Sequence, residues 1–151
     1  MLWKWLTVIG LSMTPALLLG QSAAAAAGIG FGLDPRIMIP VMAASGFIEG
    51  LFVAWLGGKT ADLRFGLLQR LIGWMRKPRA VEIAQRFGAW GGMTLGVAIV
   101  GQEPVLLALR WLGVDMKKLV LPTAVSNAIF AVAYYWVVKL GILSVDKVLG
   151  F

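Results

Sequence analysis

Gly20-Gln21-Ser22 and Gly32-Leu33-Asp34 bracket a run of alanine and glycine. Eighty-one residues on, Gly101-Gln102-Glu103 and Gly113-Val114-Asp115 bracket a second apolar run. The two stretches align without a gap and continue to match. Ala43 falls on Ala124, Ser45 on Ser126, Ile48 on Ile129 and Trp55 on Trp136, giving 9 identities over the 36 positions from 20 to 55. An apolar-biased chain gives roughly three by chance, so the pattern reads as an internal repeat. Each copy holds an apolar segment broken by Gly–Gln, a turn carrying Gly-x-Asp, and a span-length apolar run: Ile37–Gly58 in the first, Leu119–Val138 in the second.

Composition sets the environment in which such a repeat folds. Of 151 residues, 60% are apolar and 14% charged, against about 25% charged in soluble domains. A chain this short buries too small a share of its surface to hide that much apolar area from water, so the sequence predicts an all-α integral membrane protein. Cys and His are both absent, which removes disulfides, the usual zinc and haem sites, and Ser–His or Cys–His triads. No phosphate-cradling glycine loop is present. An enzyme is not expected, nor a cofactor or a metal.

The net charge of +7 is concentrated. Lys59 to Arg86 holds seven basic and two acidic residues, with Leu67, Leu68, Leu71, Ile72 and Met75 spaced among them. That spacing predicts a basic amphipathic helix in the membrane interface, ended by Pro78, with Arg64, Arg70, Arg76, Lys77 and Arg79 on lipid headgroups. Charge placed this way points to anionic lipid, not nucleic acid. The single membrane domain, 1–151, then divides into repeat one (5–58), a cytoplasmic linker (59–86) and repeat two (87–145). An N-terminal secretory signal ending in Ala23–Ala27 is a competing reading of the first segment.

The breaks fall near the middle of their segments, with 5–20 and 22–33 flanking the first and 87–100 and 104–113 the second. Twelve helical residues rise about 18 Å, just past the middle of a hydrocarbon core about 30 Å thick. Each broken segment can therefore enter and leave on one side as a re-entrant hairpin. With 59–86 inside, the loop Arg110–Lys118 also lies inside, and the first hairpin opens outward. The two repeats are then inverted, an architecture that builds a site at the midplane between its halves. The competing topology makes both broken segments ordinary spans in a four-helix bundle.

Gln21, Ser22, Glu49, Gln102, Glu103 and Asn127 are the candidate pathway residues. An ionisable side chain at such depth is costly and marks an ion or proton path by default. Glu103 suits that role, or else pairs with Arg110. Glu49 has Phe130 as its repeat equivalent and so breaks the symmetry; a pairing with Lys59 is too distant, at about 15 Å along a helix. Gln21 and Gln102 suit a substrate or the backbone groups freed at the breaks. Asn127, Ser126, Ser45 and Gly46 also suit close helix packing. Trp3, Trp5, Trp55, Trp111 and Trp136 read as interfacial anchors, and Trp74 as an anchor of the linker helix.

The order hairpin, span, basic linker, hairpin, span resembles the small multidrug export protein family and, more distantly, DedA-like membrane proteins. The resemblance runs from Pro15 to Ile142. It is carried by Gln85-Arg86-Phe87-Gly88-Ala89-Trp90-Gly91-Gly92, then by Leu112-Gly113-Val114-Asp115 and the span bearing Pro122. It implies transport, lipid scrambling or envelope homeostasis. The chain departs from those families in the first hairpin, where Leu18, Gly20 and Gln21 stand in place of an acidic and a basic residue.

Together these readings predict a multi-pass inner-membrane transporter or translocator of a small molecule, ion or lipid, with Glu103 as the candidate for proton coupling. Its expected partners are the bilayer and either further copies of itself or a larger membrane complex. The alternative is a non-transporting subunit that scaffolds such a complex.

Overall fold

A computed structural model describes residues 1–13, 20–62 and 78–149. Among the described residues every element is helical: α1 (Leu2–Ser12), α2 (Gly20–Gly30), α3 (Pro35–Asp62), α4 (Pro78–Gly91), a π-helical turn (Gly92–Gly96), α5 (Val97–Val100), α6 (Gln102–Trp111) and α7 (Met116–Leu149). Two stretches, Pro35–Lys59 of α3 and Met116–Gly141 of α7, are long and apolar enough to cross a membrane.

The elements gather into two compact units. One comprises Met1–Gly46 and Asn127–Phe151, the other Phe47–Ser126. The division does not follow the bounds that the sequence predicts for the repeats. It cuts both long helices, so each unit takes one hairpin, the first part of the long helix that follows it, and the later part of the other long helix.

In the first unit α1 packs on α2. The pair is antiparallel, because the start of α1 meets the end of α2. Lys4 Nζ donates to the Phe31 carbonyl at 3.3 Å, and Trp3 meets the Phe31 ring edge-on at 4.9 Å. The core here is Val8, Ala24, Ala25, Met38, Met42, Ala131 and Tyr135. Gly28 lies directly against the Met38 thioether and leaves no room for a Cβ.

In the second unit α6 packs back along α4, the π-helical turn and α5. Gly92 faces Val105 and Leu109, while Gly96 faces Val105, an antiparallel register. Pro78 stands at the first position of α4, where its missing N–H costs nothing. Gly88 (φ 62°, ψ −160°) kinks α4, and Gly101 (φ 97°, ψ 162°) separates α5 from α6. The core includes Ala54, Met93, Val105, Leu106, Leu109 and Leu119.

The turns that join each hairpin to its long helix are built alike, 81 residues apart. Gly32 N–H donates to the Ile29 carbonyl at 2.9 Å and Leu33 N–H to Gly28 at 3.0 Å; Gly113 donates to Arg110 at 3.1 Å and Val114 to Leu109 at 3.0 Å. This double bond pattern closes a helix through a left-handed residue, and φ is 67° at Gly32 and 81° at Gly113. Asp34 then accepts from the Arg36 N–H at 2.8 Å, as Asp115 does from Lys117 at 2.7 Å. These carboxylates take up free N–H groups at the helix starts. Buried positions match in the same way. Met38 and Leu119 are both fully buried, as are Ala24 and Val105, Ala25 and Leu106, and Ser45 and Ser126 nearly so.

Some boundaries differ from the sequence expectation: α4 runs through the expected linker end at 86, α6 begins at Gln102 and not at 104, and the first arm stops early. The first arm was expected to run to residue 20, but α1 ends at Ser12 and α2 starts at Gly20. Pro15 accounts for the early stop, since its ring would clash with the Leu11 carbonyl in a continued helix. Most of the proposed linker helix, residues 63–77 with Arg64, Arg70, Trp74, Arg76 and Lys77, lies outside the described residues, whereas Arg79 is exposed in the first turn of α4.

Candidate functional site

The second unit carries an acidic cluster in which Glu103 is buried and Glu49 half-buried. Gln102 and Glu103 open α6 immediately after the Gly101 break, and both side chains are buried, at 6% and 2% exposure. Glu49 lies on α3, inside its membrane-length stretch. The Gln102 amide donates to Glu49 Oε2 at 3.2 Å. The Glu49 carboxyl is also within hydrogen-bonding reach of Glu103. Half-buried Glu49 thus has Gln102, and not the distant Lys59, as its hydrogen-bond partner.

Two further residues complete the cluster. A Cβ at Gly50 would run into the Gln102 amide nitrogen and would approach Thr123 Cγ2 to 3.0 Å; Thr123 is fully buried. Ser126, also fully buried, donates its hydroxyl to the Met93 carbonyl in the π-helical turn.

Arg110 does not need a carboxylate partner to hold its position. Its Nε donates to the Ala54 carbonyl at 3.1 Å and its Nη1 to the Val114 carbonyl at 2.6 Å. Gly57 and Gly58 leave the room its side chain occupies, since a Cβ at either would meet Arg110 atoms. The guanidinium thus ties the later part of α3 to the turn before α7.

The first unit carries a neutral counterpart. The Gln21 amide donates to Asn127 Oδ1 at 3.0 Å, and Asn127 is 1% exposed. Gly46 admits this pair, because a Cβ there would meet both side chains. Ser12 and Ser45 share a hydrogen bond, and Ser45 also donates to the Val41 carbonyl at 2.7 Å. Ser22 is half-buried in the first turn of α2.

The six candidate pathway residues thus divide between the units: Gln21, Ser22 and Asn127 in one, Glu49, Gln102 and Glu103 in the other. Among the described residues no group of three or more carboxylates converges as a metal ion would require. Sequence reasoning passed over Gly50, Thr123 and Ser12. The available signal was the pair Gly46 and Gly50, one helical turn apart inside the first span.

Trp3, Trp55 and Trp136 are each more than half exposed. Lys139 Nζ lies 5.3 Å from the Trp136 ring centre and 5.6 Å from that of Tyr135. Compared with models of protein families, with curated proteins and with solved structures, the chain matches none.

Proposed function

We propose that the chain is a small integral membrane translocator built of two inverted repeats, each a re-entrant hairpin followed by a span. It moves a small molecule, ion or lipid headgroup, without enzymatic chemistry, and couples that movement to protons. The observation that carries this reading is the Glu49–Glu103 carboxyl pair. One member sits in an otherwise apolar stretch long enough to span a bilayer, and ionisable groups at such depth are costly unless they serve transport or proton transfer.

Other features support it. The first hairpin has two helices of 11 residues each. Each rises about 16 Å, half of the hydrocarbon thickness. The turn hydrogen bonds that recur 81 residues apart support the repeat. The exposed tryptophans and the lysine over Tyr135 and Trp136 suit a membrane interface.

Absence of cysteine makes the test direct. Single cysteines at Gln21, Glu49, Gln102 and Glu103 are offered to a small membrane-impermeant thiol reagent from each side of the membrane. Labelling is expected, through a water-filled path. Protection from both sides in a folded protein would overturn the translocator. It would favour a scaffolding subunit of a larger membrane complex, a reading to which the buried Ser12–Ser45 and Ser126–Met93 bonds lend weight as dry packing contacts.

A further inference from the structure

Repeat-equivalent glutamines meet different chemistry in the two units. Gln21 donates to Asn127, whereas Gln102 donates to Glu49. Four pairs of equivalent positions differ around them: Ser22 and Glu103, Asn127 and Gly46, Phe130 and Glu49, Ala131 and Gly50. In the first unit position 131 carries a methyl group and is fully buried. In the second, Gly50 has none, and the Gln102 amide nitrogen occupies the volume a Cβ would need.

From this we infer that Gly50 is a positioning residue for the carboxyl pair. Its missing side chain lets Gln102 reach the α3 backbone and donate to Glu49, which in turn sets Glu49 against Glu103. Three changes relative to the first unit (glycine at 50, carboxyls at 49 and 103) thereby convert an amide–amide contact into an amide–carboxyl–carboxyl chain. The Gln102 N–H holds one oxygen of Glu49, which fixes the rotation of that carboxyl and the direction in which its other oxygen faces. Gly50 acts through Gln102, its nearest neighbour, with Thr123 Cγ2 next, and touches neither proton nor substrate.

The inference rests on the proposed role of the carboxyl pair, and infrared spectroscopy of the purified full chain separates the two. The C=O stretch of a protonated, hydrogen-bonded carboxyl is expected in the parent protein and is lost in Glu49→Gln and in Glu103→Gln. If neither variant changes the spectrum, the carboxyl-pair reading fails. Given that band, Gly50→Ala is expected to move it to higher frequency, as the bond to Glu49 weakens, and Gln102→Ala to move it equally. The double variant should shift no further than either single one. An unchanged band in Gly50→Ala, or fully additive shifts, overturns the positioning role alone. Should Gly50→Ala fail to fold, Gly50→Ala with Gln102→Asn removes one methylene from the crowded amide. That double variant is expected to recover the fold but keep the shifted band; a band at the parent frequency would overturn the inference.

Discussion

Replacing Gly32 or Gly113 by alanine isolates the backbone cost of the two repeated turns. Both residues have positive φ, 67° and 81°, and nothing lies within 4 Å of a Cβ built at either. No steric clash or cavity enters, so only conformation matters. Holding an L-residue in the left-handed region costs about 1–2 kcal/mol. Alanine recovers about 0.4–1 kcal/mol of that by narrowing the unfolded ensemble. Each variant should therefore lose about 1 kcal/mol, and because the two turns have the same hydrogen-bond pattern, the losses should agree closely. The turns lie in different units with no shared partner, so the double variant should lose the sum within about 0.5 kcal/mol. Reversible unfolding by SDS in mixed micelles, followed by tryptophan fluorescence, measures all three. A neutral Gly32→Ala beside a costly Gly113→Ala would refute the equivalence of the turns. So would a loss of several kcal/mol in either, which would require a contact that the open surroundings exclude.

Other perturbations bear on the units and the cluster. Leu106→Ala empties a fully buried position in the second core and should cost about 2–5 kcal/mol in the same assay; a loss under 1 kcal/mol would place Leu106 outside a packed core. Arg110→Lys keeps the charge but cannot reproduce two separate N–H bonds to Ala54 and Val114. A loss of about 1–3 kcal/mol is expected, and parent-like stability would mean that charge alone matters there. Glu103→Gln should preserve unfolding stability while removing the pH dependence of solute movement in proteoliposomes, read with a trapped pH dye. Unchanged pH dependence would take the coupling role away from Glu103.

Residues close in sequence announced their structure; residues distant in sequence did not. Gly-x-Asp at 32–34 and 113–115 is legible because a left-handed glycine and a capping carboxylate act within a few residues. The break at Gly101 was legible for the same reason. The end of α1 was misplaced because the run from Trp5 to Leu19 carries no charge, and Pro15 was the strongest local signal against a longer helix. Glu49, Gln102, Glu103, Gln21 and Asn127 were identifiable singly as polar residues in apolar stretches. Their partners were not, since Gln102 and Glu49 are 53 residues apart and Gln21 and Asn127 are 106 apart. Arg110 illustrates the same limit: a nearby carboxylate invites pairing by sequence, yet backbone carbonyls brought in by α3 and the turn accept its bonds. The π-helical turn at Gly92–Gly96 had no sequence signature beyond its glycines, as it depends on packing against Val105.

Inversion of the two repeats is the claim on which the translocator reading turns, and Arg36 and Lys117 test it most directly. They are repeat equivalents, both exposed, one residue after the residue that opens each long helix. Single cysteines at these two positions, in the full chain in sealed vesicles, are labelled with a membrane-impermeant thiol reagent from either side. Inverted repeats require the two cysteines to react from opposite sides, with position 117 on the side of Lys59. Reaction of both from the same side would contradict the account and establish four ordinary spans in its place.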